Sequence, residues 1–355
     1  MKVRREAIGE MLGTFVMVLL GCGSVAVSVL FKAHQGILPV ALVWGVGVML
    51  AIYLTRHLSC AHLNPAVTLA MAASGRMVWR KTPVYIASQF AGAVIAGIVL
   101  YALFAPSIEA FESEHGIVRG SAASAATAKM FGEFYPDPGG AARVTLPLAM
   151  GAEAFGTFLL VLLIFALTEG CNVGRPNDAL APVFIGLTVT SVICLIAPLT
   201  QAGLNPARDL GPRLVAWVTG WGEVAFPDRC GGFFTVYVLS PVAGAVAAAR
   251  FFTRVLEPAM RDTGDRCGCN DGRCSCWILT AISTMPHRHL RFARRSRHKP
   301  RRRSDASATA KSGAGPESRG SSQKRTRCSG WSLRSSPRSA RSGRPERSTS
   351  ARRVC

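Results

Sequence analysis

Long apolar stretches alternate with short polar ones along the first 255 residues, at roughly 7–31, 38–55, 82–105, 146–168, 180–199 and 233–255. As helices rising ~1.5 Å per residue, most are long enough to cross a hydrocarbon layer of ~30 Å. The pattern predicts six spanning helices. Lys2, Arg4 and Arg5 precede an apolar stretch too long for a signal-peptide core, so the first span is expected to stay in the membrane.

Two shorter apolar segments break this rhythm, and each opens on the same tripeptide: Asn64-Pro65-Ala66 and Asn205-Pro206-Ala207. Asn is a favoured N-cap, Pro suits the first helical position because its missing N–H would be unpaired there, and Ala is a strong helix former. Each tripeptide should therefore start a helix. From Asn64 the apolar run ends near Gly75, which reaches about half of a ~30 Å layer. Non-helical backbone at that depth is tolerated only where protein or a watery cavity surrounds it, and paired interrupted segments point to a transport path.

The two halves of the chain repeat. Glu10-Met11-Leu12-Gly13-Thr14-Phe15 matches Glu153-Ala154-Phe155-Gly156-Thr157-Phe158, the two Asn-Pro-Ala tripeptides correspond, and Ala91-Gly92-Ala93-Val94 matches Ala243-Gly244-Ala245-Val246. The order is the same in both halves. Each half holds three spans and one half-span, and because three is odd the second half must insert inverted relative to the first. The expected fold is an all-α membrane protein of six transmembrane helices and two half-helices in an inverted repeat.

Charge sets the orientation. Short-loop cations sit at the N-terminus, at Arg56, at Arg76, Arg80 and Lys81, at Arg175 and beyond Arg250, all on one side of an alternating six-helix chain. Glu109, Glu112 and Glu114 open the loop at 106–145 on the other side. Both termini are therefore expected in the cytoplasm of a multi-pass inner (plasma) membrane protein.

Composition divides the chain further. Of a net charge of +21, 17 lie beyond Arg261, where 23 Lys and Arg face 6 Asp and Glu in a Ser-, Gly- and Pro-rich context. Residues 1–261 are read as a channel domain, with repeats at about 5–115 and 146–257. Residues 262–355 are read as a basic tail that buries too little apolar surface to fold. Such a tail suits anionic lipid, or sequence-independent contact with nucleic acid, or is a solvated or non-native extension; no specific nucleic acid is expected. Cys267, Cys269, Cys274 and Cys276 lack the usual zinc-knuckle spacing, and no metal or cofactor is expected. The spans hold no activated nucleophile or paired acid and base, which argues against an enzyme.

The segments Ala61-His62-Leu63-Asn64-Pro65-Ala66-Val67-Thr68 and Gly203-Leu204-Asn205-Pro206-Ala207-Arg208-Asp209-Leu210-Gly211-Pro212, with the Glu-x-x-Gly-Thr-Phe repeat, resemble the major intrinsic proteins, the aquaporins and glycerol facilitators, over roughly residues 5–257. The resemblance implies a right-handed bundle with one pore per subunit of a homotetramer in the lipid bilayer. It also implies a passive channel for glycerol and other small uncharged solutes, with some water. A metalloid or urea channel, or a mainly water-conducting aquaporin, remains the alternative.

Carried over residue by residue, Asn64 and Asn205 would donate to solute oxygens where the two half-helices meet. Backbone carbonyls of Cys60, Ala61, His62, Leu63, Gln201, Ala202, Gly203 and Leu204 would form an acceptor ladder along the pore. The outer constriction would comprise Trp44, Ile193, Ala202 and Arg208. Arg208 costs roughly 2.5–3.5 kcal/mol to place at membrane depth, so it should face a watery or protein-lined site or neutralise a buried carboxylate. Glu10 and Glu153 are carboxylates inside spans; by resemblance they accept hydrogen bonds from the loops preceding the half-helices. Asp209 and Arg213 are glycerol-facilitator markers. Ala202, where a facilitator has a large aromatic, and Tyr237-Val238, in place of Pro-Leu, depart from that pattern, and Trp44, Ile193, Ala202 and Arg208 together look more like the filter of plant nodulin-type members.

Overall fold

A computed structural model describes residues 2–226 and 232–266. The spanning helices are α1 (Lys2–Phe31), α2 (Ile37–Ser59), α4 (Thr82–Glu114), α6 (Leu146–Thr168) and α7 (Ala181–Thr200), with a sixth span over Gly232–Arg261. The half-helices are α3 (Pro65–Ala73) and α8 (Pro206–Ala216). A short α5 (Ala125–Ala128) lies between α4 and α6. The sixth span comprises α9 (Gly232–Phe234), α10 (Ser240–Phe251) and the start of α11 (Glu257–Arg266), joined by π-helical turns at Thr235–Leu239 and Phe252–Leu256. Among the described residues there is no strand.

Two boundaries differ from the sequence reading. Helix α4 runs through Pro106 to Glu114: Glu112, expected at the start of a polar loop, is a buried anchor that accepts from Thr127 Oγ1 at 2.7 Å and Arg119 Nε at 2.9 Å. Helix α11 continues across residue 262 as far as Arg266. The rest of the basic tail, with its Cys-x-Cys pairs, lies outside the described residues, as does Cys230.

The repeat is visible in close helix crossings. A Cβ on Gly92 of α4 would lie 2.1 Å from the Met11 carbonyl oxygen of α1, and one on Gly244 of α10 would lie 1.9 Å from that of Ala154 on α6. Between the halves, Gly45 of α2 and Gly186 of α7 meet reciprocally, each Cβ position 2.5 Å from the other's carbonyl oxygen. Small residues let membrane helices approach at backbone distance. A pseudo-twofold relation between the halves is thus written into matched glycines.

The outer surface is apolar. Leu103, Leu195 and Phe155 are 64%, 58% and 53% exposed, a pattern suited to hydrocarbon rather than water. Glu10, Gln89, Glu153 and Arg208 are buried inside the bundle instead.

Candidate functional site

Each half-helix begins as its tripeptide dictates. Asn64 and Asn205 adopt extended backbone, and the Oδ1 of each accepts from N–H groups of its own helix: Ala66 at 2.8 Å for Asn64, Ala207 at 3.0 Å and Arg208 at 3.3 Å for Asn205. Their amide nitrogens reach across the repeat. Asn64 Nδ2 donates to Leu204 O at 3.0 Å, and Asn205 Nδ2 to Leu63 O at 2.8 Å. One N–H of each amide is thereby used and one remains.

The loops leading into α3 and α8 share an unusual backbone. Cys60, Ala61 and Leu63 have φ of 73°, 52° and 54°, and their counterparts Gln201, Ala202 and Leu204 have 60°, 63° and 57°. Non-glycine residues rarely stay left-handed unless the surroundings over-determine them. Here the constraint comes from Glu10 and Glu153. Glu10 accepts from the N–H of His62 at 3.0 Å and Leu63 at 2.7 Å, and Glu153 from those of Gly203 at 2.8 Å and Leu204 at 2.7 Å. Both carboxylates are fully buried. Gln89 also donates to Glu10 at 2.7 Å, and the Thr200 hydroxyl to Glu153 at 2.6 Å.

A cavity of about 730 Å³ runs past these loops. Trp44, Ile193, Ala202 and Arg208 line it, as do both Asn side chains and residues Cys60 through Leu63, Gly203 and Leu204. Gln201 is not among its lining residues; its Oε1 instead accepts from the N–H of Phe134 at 2.7 Å. Arg56, His57 and Arg76 also line the cavity, and Arg56 lies ~18 Å from Trp44 along α2 at ~1.5 Å per residue. The space therefore extends over much of a membrane's depth. Its wall is mainly apolar side chains interrupted by a few polar groups, which suits a small hydroxylated molecule rather than an ion.

Arg208 is 4% exposed and tightly held. Its guanidinium lies 4.2 Å from the Trp44 ring centroid, donates to Ala202 O at 2.7 Å and pairs with Glu133. The arginine therefore does both things its position allowed: it lines the cavity and meets a buried carboxylate. Glu133 is a site residue that the sequence reading missed. The available signal was a lone carboxylate among Phe131, Phe134 and Tyr135 in an otherwise small and polar loop.

Behind Arg208, Asp209 and Arg213 form a buried bidentate pair at 2.6 and 3.1 Å. Tyr237 packs against Gly203, where a Cβ would lie 2.6 Å from its ring, and its hydroxyl donates to Thr200 O at 3.0 Å. The tyrosine thus buttresses the loop before α8 alongside Glu153, whose Oε2 would lie 3.3 Å from the same Cβ position. Among the described residues Cys22, Cys171 and Cys194 are free thiols.

Comparison with known proteins adds independent weight. The sequence model of the family described as "Major intrinsic protein" matches residues 1–252. The glycerol uptake facilitator protein of Shigella flexneri is 39% identical over 255 residues, covering 72% of this chain and 89% of the relative. The propanediol uptake facilitator of Citrobacter freundii is 37% identical over 251 residues, covering 70% and 91%. Among solved structures, the X-ray structure of the aquaglyceroporin from Plasmodium falciparum superposes with a TM-score of 0.62 at 27% identity, covering 73% of this chain and 98% of that one.

Proposed function

The chain belongs to the major intrinsic protein family, and from that premise we propose that it is a passive channel conducting glycerol and other small uncharged solutes, with some water, down their gradients. The observation that carries this reading is the junction of two half-helix N-termini inside one continuous cavity. Each N-terminus carries a partial charge of about +0.5, so the junction opposes cations and disfavours a protonated water chain. A neutral solute meets only hydrogen-bond partners there.

Those partners replace hydration. The free N–H of Asn64 and of Asn205 and the remaining N–H groups of Arg208 donate to solute oxygens. The carbonyls of Cys60, Ala61, His62 and Gly203 accept from solute hydroxyls, while those of Leu63 and Leu204 also hold the opposite asparagine. The apolar walls, including Trp44 and Ile193, contact the carbon chain. This combination of amphipathic wall and fixed polar groups suits a polyol better than an ion, whose desolvation it cannot offset.

The channel is read as a multi-pass protein with both termini in the cytoplasm, assembled as a homotetramer in the bilayer, with residues 1–261 as the conducting unit. Comparative uptake of labelled glycerol, urea and arsenite into vesicles bearing the protein tests the solute class. Glycerol uptake well above that of protein-free vesicles supports the reading. Faster entry of urea or arsenite, with glycerol at background, would assign the channel to those solutes instead.

A further inference from the structure

Glu133 lies outside every span, in the segment between α5 and α6, yet it is only 4% exposed. Its side chain pairs with Arg208. Both of its backbone polar groups are gripped from α8: the N–H donates to Asp209 Oδ1 at 2.8 Å, and the carbonyl accepts from Arg213 Nη2 at 2.6 Å. Asp209 and Arg213 stand one turn apart on α8 and bind each other at 2.6 and 3.1 Å. Arg213 is further fixed by the Ala225 carbonyl and by the rings of Phe134, Tyr237 and Phe226 at 5.5, 5.7 and 5.9 Å. The chain enters Glu133 directly over this guanidinium, since a Cβ on Gly132 would lie 2.7 Å from Arg213 Cζ.

Two guanidinium groups and two carboxylates are therefore packed together with no net charge. We propose that Glu133 is a selectivity-determining residue of the pore, neutralising Arg208, and that Asp209 and Arg213 are the positioning residues that hold Glu133 in place. The proposal rests on the channel reading above. Arginine has five N–H donors; one is used by Ala202 O and one by Glu133, so at most three face a solute. Conduction needs binding strong enough to admit a solute and weak enough to release it. Glu133 sets that strength by withdrawing one donor and cancelling the charge. Without it, Arg208 would present an unpaired cation in a narrow, largely apolar constriction, which retains polyols longer and attracts small anions.

The test uses the full chain in proteoliposomes, with water flux read from osmotic shrinkage and glycerol flux from re-swelling, in gluconate or in osmotically matched nitrate. Wild type should be indifferent to the anion. Glu133→Gln should lower maximal glycerol flux roughly tenfold, the weight of one charge-assisted interaction, with half-saturation at lower glycerol and with nitrate block of both fluxes. Glu133→Asp should behave like wild type, and Asp209→Asn should reproduce Glu133→Gln. Unchanged saturation and no nitrate block in Glu133→Gln would overturn the proposal for Glu133, and wild-type behaviour of Asp209→Asn would overturn the positioning role. Nitrate block of water flux is readable even if wild type passes no glycerol, so failure of the channel reading and failure of this proposal are separable.

Discussion

Asn64 and Asn205 brace each other's loops: the side-chain amide of each donates to the carbonyl of the leucine preceding the other, at 3.0 and 2.8 Å. The oxygen of the same amide caps its own half-helix. Each asparagine thus stabilises one helix and ties it to the other, which fixes where the two N-termini meet. The remaining N–H of each amide is held in place without any further side chain.

Replacing either asparagine by alanine should lower stability by about 2 kcal/mol, of which about 1 reflects the lost cap and the rest the lost brace and the orphaned leucine carbonyl. Thermal unfolding in detergent, followed by intrinsic fluorescence, measures this. Near-equal losses for Asn64→Ala and Asn205→Ala are expected from the matched geometry. A neutral result for one would show that the brace operates in one direction only.

Glu10 and Glu153 each accept two loop N–H groups in the protein interior. Truncation to alanine leaves both donors unpaired at about 1–3 kcal/mol each, so Glu10→Ala and Glu153→Ala should each cost on the order of 3 kcal/mol and reduce the folded yield. Glutamine keeps one acceptor and should recover part of the loss. Expression level and thermal midpoint of the four variants check the ranking.

The glycine crossing at Gly45 and Gly186 makes a contrast with Gly47. A methyl at either crossing glycine would lie 2.5 Å from a backbone oxygen, whereas at Gly47 the nearest atom is 3.4 Å away. Gly186→Ala should therefore push α2 from α7 and destabilise by roughly 1–3 kcal/mol, while Gly47→Ala should be neutral or stabilising through helix propensity. Comparing their unfolding temperatures decides whether the crossing is as tight as the geometry indicates.

The architecture was largely legible because it is written in local pattern: apolar length gives spans, and Asn-Pro-Ala gives both the start of each half-helix and the repeat. What escaped depends on tertiary partners. Pro106 and three nearby glutamates read as the end of a span, but Glu112 finds Arg119 and Thr127, and α4 continues. No glycine marks the left-handed backbone at Cys60, Ala61 or Leu63, because buried carboxylates from α1 and α6, not local preference, impose it in both loops. Glu133 escaped for the same reason: a lone carboxylate among aromatics does not name its partners, and Arg208, Asp209 and Arg213 are distant in sequence.

Width at the outer constriction should govern discrimination among neutral solutes. Ile193 and Ala202 face the same cavity as Trp44 and Arg208, and side-chain bulk added there reduces the space left for a three-carbon chain. The double variant Ile193→His, Ala202→Phe should lower glycerol flux by roughly tenfold and water flux much less. Parallel loss of both fluxes would place the narrowest point elsewhere.

The central claim is that this pore admits glycerol as well as water. Stopped-flow light scattering on proteoliposomes bearing the full chain, mixed into a hyperosmotic glycerol solution, tests it most directly. Rapid shrinkage followed by re-swelling far faster than in protein-free vesicles is the predicted trace. Rapid shrinkage with re-swelling no faster than in protein-free vesicles would contradict it.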